Sequence, residues 1–113
     1  MAQVKITVTG KSTFPNTEKG QIEFDGKTYD CYLKSDFPYT RDVTLTDKET
    51  YDKKWSNEFH VWMHWASGPI QWQRGAYIHY NPPGPSAGCI ITVGAEELVK
   101  FIRRVKKVRV VIG

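Results

Sequence analysis

Apolar and polar residues alternate from the first positions: Val4, Ile6 and Val8 interleave with Lys5, Thr7 and Thr9. A period of two is the signature of a strand with one buried face, and it excludes a helix over the same residues. The pattern returns over Phe59–Trp65, where Phe59, Val61, Met63 and Trp65 alternate with His60, Trp62 and His64. Two further runs, Gln21–Phe24 and Thr28–Leu33, flank Asp25-Gly26, the dipeptide that best matches a two-residue hairpin turn. Gly75–Tyr80 and Cys89–Val93 read as short buried strands, and Val108–Ile112 as a last one. The expected fold is therefore mostly β (α+β), a compact antiparallel sandwich or barrel-like single domain spanning 1–113.

The one helical pattern lies at 95–106, where Leu98, Phe101, Ile102 and Val105 share a face, with Glu96 and Glu97 in the first turn and cations late. Residues 34–57, polar and containing Pro38, read as a long loop with a short helix near Asp47–Trp55. Ala66–Pro69 reads as a turn, and Gly10 as the end of the first strand.

A chain of 113 residues holds one domain, and that length buries enough surface for a core without staples. No run reaches the ~18–20 apolar residues of a membrane span. The opening residues lack the apolar core of a secretory signal, so synthesis in the cytosol is expected, with any exit by another route. The formal charge of +4 is uneven. Lys100, Arg103, Arg104, Lys106, Lys107 and Arg109 supply six of the sixteen cations, and residues 1–99 carry ten basic against twelve acidic groups. The basicity thus belongs to one C-terminal element, and a solvated helix face explains it better than a nucleic-acid surface. A non-enzymatic basic β domain that binds nucleic acid or a protein partner is the alternative reading.

Cys31 and Cys89 stand 58 positions apart with no Cys-x-x-Cys pair, which leaves a single disulfide open and argues against a disulfide framework. His60 and His64 have ligand spacing for a helix, but on a strand they would lie about 13 Å apart, so no metal site is expected. Four tryptophans, Trp55, Trp62, Trp65 and Trp72, cluster in sequence, as core residues or as the wall of a groove.

The stretch with chemical content is Tyr77-Ile78-His79-Tyr80-Asn81-Pro82-Pro83-Gly84-Pro85-Ser86-Ala87-Gly88-Cys89-Ile90-Ile91. A histidine closes one strand, a rigid loop turns the chain, and Ser-x-Gly-Cys opens the next. Cysteine attacks as thiolate and needs a base beside it. The intervening loop is long enough to return Cys89 to His79, and Gly88 leaves nearby amides open to a substrate carbonyl. The motif resembles that of the YkuD-type L,D-transpeptidases, in particular small relatives among secreted antibacterial effectors and phage-associated proteins. Ala87 stands where the usual motif has a second histidine, and the His-to-Cys interval is shorter than in typical members.

The resemblance implies a β-sandwich-like domain without a cofactor, acting on peptidoglycan stem peptides. It makes Cys89 the nucleophile, His79 the general base, Tyr80 the residue whose backbone carbonyl orients that base, and Ser86 and Gly88 the shapers of the nucleophile loop. Arg74, Trp72 and Tyr77 are the candidate substrate contacts, Arg74 through the carboxylate-matching fork of its guanidinium. The implied place of action is the periplasm or cell wall, after specialised export or lysis, and a toxin of this kind would have a cognate immunity protein.

Overall fold

In a computed structural model, residues 1–51, 54–56, 61–63, 70–73, 76–86 and 88–113 are described, with the backbone alone for 54–56 and 61–63. Ten strands and one α-helix occur among them: β1 (Ala2–Lys11), β2 (Thr17–Phe24), β3 (Lys27–Lys34), β4 (Asp42–Thr46), β5 (Lys54–Ser56), β6 (Val61–Met63), β7 (Ile70–Gln73), β8 (Ala76–His79), β9 (Ile90–Thr92), α1 (Ala95–Val105) and β10 (Lys107–Ile112). Eight strands form one sheet in the order β4-β10-β1-β2-β3-β9-β8-β7, and β5 and β6 pair separately. Neighbours are antiparallel except β1 with β10 and β8 with β9.

The sheet curls until its edges meet. Thr50, just beyond β4, bridges Ile70 on β7. The Tyr51 hydroxyl donates to Gln71 Oε1 at 3.1 Å, and Gln73 reaches the backbone of Pro38 and Thr40. The outcome is a nearly closed, barrel-like β domain with one helix among the described residues, the architecture expected from the alternation.

Each element follows from local chemistry. Asp25 and Gly26 both have positive φ, 51° and 72°, as a type I′ turn demands, and they join β2 to β3. In β1, Val4 and Ile6 are fully buried between exposed lysine and threonine. α1 turns Leu98, Phe101 and Ile102 into the core and ends at Lys106, whose left-handed backbone closes the last turn on the Ile102 carbonyl. Phe101 stacks on Phe24, itself stacked on Tyr29.

Three expectations need correction. The 34–57 stretch is not one long loop, since Val43 and Leu45 make β4 a strand against β10. A capping box between Thr46 and Glu49 then sets a single 3₁₀ turn over Asp47–Glu49, in place of a helix reaching Trp55. β7 is a strand the sequence reading did not assign, its Ile70 and Trp72 facing the core. Gly10 does not end β1, which runs through Lys11 past an irregularity in its pairing between Val8 and Gly10. The turn expected at 66–69 and residues His60, His64 and Trp65 lie outside the described residues.

The C-terminal cations are largely used within the domain. Lys100 reaches Glu96 and Glu97, Arg104 reaches Asp25, Lys106 reaches Asp47, and the Arg109 guanidinium pairs with Asp42. These pairs are exposed and add little stability. They do cancel much of the local charge.

Gly20 on β2 lies opposite Val8 of β1 and Cys31 of β3, where a Cβ would stand 2.6 Å from the Thr7 carbonyl oxygen and 3.3 Å from Cys31 Sγ. The first clash is with backbone, which cannot swing aside. Gly20→Ala is expected to cost about 1–3 kcal/mol, read as a lower denaturant midpoint with an unchanged slope.

Candidate active site

The site grows from the parallel pairing of two very short strands. Ile78 sits opposite Ile90 and His79 opposite Ile91. Parallel neighbours ordinarily need a dozen or more connecting residues. Because β8 and β9 are only four and three residues long, residues 80–89 suffice to bring the chain back. Cys89 is the residue just before β9, two positions from the partner of His79. On a sheet lattice of ~4.8 Å between strands and ~3.3 Å per residue, that offset separates Cα atoms by about 8 Å, within reach of a thiol and an imidazole.

His79 is 8% exposed, and its Nδ1 lies 3.0 Å from the Tyr80 carbonyl oxygen. A carbonyl only accepts, so Nδ1 carries the hydrogen and the neutral ring keeps its lone pair on Nε2. Burial moves this imidazole below its ordinary pKa of 6.5, and the bond to Tyr80 opposes that shift without overcoming it. A buried histidine held as one tautomer is neutral at neutral pH, with Nε2 as its acceptor atom.

The loop before Cys89 is tied down by polar bonds. The Ser86 amide donates to Thr17 Oγ1 at 3.0 Å, the Ser86 hydroxyl donates to the Cys89 carbonyl, and the Gly88 amide donates to Ser86 Oγ at 3.2 Å. Gly88 has φ of 143°, a conformation that favours glycine. The Gly88 amide, expected to lie open to a substrate carbonyl, is instead taken up by Ser86. Replacing Ser86 with Ala strands a buried amide and a carbonyl, and an expected loss of about 1–3 kcal/mol by chemical denaturation follows.

Cys89 is 9% exposed and Cys31 fully buried, and both are free thiols. The two differ in setting. Burial pushes the Cys31 thiol up to about 12, which makes it inert, and it packs inside β3 beside Gly20.

The candidate substrate contacts separate. Trp72 is 1% exposed in the core and cannot touch a substrate, which corrects its assignment; its indole N–H has no partner among the described residues. Tyr77 is half-buried on β8, two residues before His79. The Tyr80 side chain is exposed. Arg74 and Ala87 lie outside the described residues.

Two contributors escaped the sequence reading. Thr17 anchors Ser86, and the Tyr39 hydroxyl donates to the Gly88 carbonyl at 2.7 Å while accepting the Lys34 amide at 2.9 Å. Neither stands near the motif in sequence, and no local pattern marks them. A recess of about 310 Å³ lies where the loop leaves Tyr80, lined among others by Tyr29, Asp30, Tyr32, Asn81, Pro83 and Val93. Among the described residues no group of three or more His, Cys, Asp or Glu side chains gathers to hold a metal, and no helix is long and apolar enough to cross a membrane.

Comparison with protein-family models, with curated proteins and with solved structures finds no match.

Proposed function

We propose that this protein is a cysteine acyltransferase that acts on peptidoglycan stem peptides, as an L,D-transpeptidase or L,D-carboxypeptidase. The observation that carries the reading is the Nδ1 bond from His79 to the Tyr80 carbonyl, at the end of the strand paired with the one that Cys89 precedes. It supports Nε2 as the base on the strand next to Cys89, the pairing of groups that thiol acyl transfer requires. The resemblance of the 77–91 segment to L,D-transpeptidases supplies the substrate class.

In the proposed reaction the Cys89 proton passes to His79 Nε2 as sulfur attacks the carbonyl of the diaminopimelate L-centre in a tetrapeptide stem. The carbonyl π pair moves onto oxygen. The tetrahedral oxyanion collapses, the C–N bond breaks, and the imidazolium returns the proton to the departing D-alanine amine. A second diaminopimelate amine, or water, then displaces sulfur from the thioester, giving a cross-link or a tripeptide. The Tyr32–Asn81 recess, mixed polar and aromatic, suits a peptide that approaches along the loop.

Such a substrate lies outside the cytosol, so the proposal carries with it specialised export or lysis-linked release, and for a toxin a cognate immunity protein. The pairing of four of the six C-terminal cations with carboxylates weighs against the nucleic-acid alternative. Incubation with purified disaccharide tetrapeptides is the test: D-alanine release supports the reading, and intact tetrapeptide at high enzyme concentration defeats it.

A further inference from the structure

The Gly88 carbonyl and the Cys89 N–H belong to one planar trans peptide, so whatever fixes the direction of the carbonyl fixes the N–H in the opposite direction. The Tyr39 hydroxyl fixes that carbonyl at 2.7 Å, and the Lys34 amide holds the hydroxyl in turn. Phe37 closes the same place by packing: a Cβ on Gly88 would meet its ring at 3.1 Å, and its ring centroid lies 4.6 Å from that of Tyr39. The preceding amide, that of Gly88, is turned to Ser86. The peptide leading into the nucleophile is therefore gripped by a segment, 37–39, far from it in sequence.

We propose that Tyr39 is a positioning residue for acyl transfer at Cys89: its hydroxyl holds and polarises the Gly88–Cys89 peptide so that the Cys89 N–H, directed away from Tyr39, donates to the developing oxyanion. This rests on the reading of Cys89 as an acyl-transfer nucleophile. A donor on the carbonyl draws electron density from the amide and strengthens its N–H as a donor. Burial, which pushes the Tyr39 phenol up to about 12, keeps it a donor throughout the neutral range.

Two reagents separate orientation of the amide from reactivity of the thiol. With p-nitrophenyl acetate, Cys89 sulfur adds to the carbonyl, an oxyanion forms, and its collapse expels p-nitrophenolate to leave an acetyl thioester. With iodoacetamide, sulfur displaces iodide from a saturated carbon and no oxyanion arises. Both rates are taken against Cys89→Ala as the blank. Tyr39→Phe keeps the ring and removes the hydroxyl; it is expected to slow ester acylation about tenfold and to leave alkylation within about twofold. Equal losses in both reactions, or none in either, overturn the proposal.

If Tyr39→Phe does not fold, 3-fluorotyrosine placed at position 39 retains the bond with a more acidic donor. The ratio of acylation to alkylation then rises above wild type, and an unchanged ratio is the contrary result. A wild type inert to both reagents removes this inference and the acyl-transfer reading together. A wild type that responds to the ester yet spares tetrapeptides removes only the substrate proposed above.

Discussion

Cys89→Ala is expected to end D-alanine release from tetrapeptide muropeptides, a fall on the order of 10⁴-fold or more, because the proposed acyl-enzyme forms on the Cys89 sulfur and alanine offers no nucleophile in its place. The substitution is mild for the fold. The surrounding loop is held through backbone atoms, with the Ser86 hydroxyl on the Cys89 carbonyl and Tyr39 on the Gly88 carbonyl, and neither bond uses the thiol. A thermal midpoint close to wild type together with lost release identifies the sulfur as the reactive group. Retained release by a folded Cys89→Ala protein refutes the mechanism. Cys31→Ala is expected to leave release unchanged, since that thiol is fully buried and held protonated.

The second large effect belongs to His79. His79→Gln keeps a polar side chain of similar reach but supplies no base, and its expected cost is about 10²–10⁴-fold in release. The pH profile carries more information than the magnitude. The imidazole must be neutral to accept the thiol proton, and burial sets its pKa below 6.5. Activity therefore persists as pH falls through 6.5 and declines only at a lower midpoint. An acid limb centred above 6.5 contradicts the assignment of His79 as the base. The same shift acts on stability. As pH falls, the unfolded chain binds the proton near 6.5 while the folded state resists, so stability drops between 6.5 and the folded pKa and levels off below it. His79→Gln is expected to remove that step.

The fold was legible where a single rule decided the structure. Val4-Ile6-Val8, Asp25-Gly26 and the 95–106 stripe each carry one dominant physical signal, and β1, the type I′ turn and α1 match them closely. β4 was hidden because Val43 and Leu45 give only two apolar beats within a polar stretch, and their burial depends on β10, more than sixty residues later. Trp72 was misread for a related reason. An aromatic residue close to a chemical motif suits a groove or a core equally well, and its inward direction comes from its place on β7, in step with the buried Ile70.

At the site, the sequence carried His79, Cys89 and their joining loop because those residues are contiguous. It could not carry Thr17 and Tyr39, whose contribution is a hydrogen bond made across the fold. The openness expected of Gly88 failed on a local detail, since a serine two positions earlier takes its amide. The parallel run of β8 and β9 has no local signal either, and only the shortness of both strands makes a ten-residue connection sufficient.

The central claim is that Cys89 carries the acyl group. Intact-protein mass spectrometry after brief mixing with tetrapeptide muropeptide and acid quench tests it, followed by mapping of the modified peptide. The account predicts a hydroxylamine-labile adduct of the muropeptide less D-alanine, on the peptide that contains Cys89 and absent from Cys89→Ala. D-alanine released with no adduct on wild type, and released equally by Cys89→Ala, would contradict it.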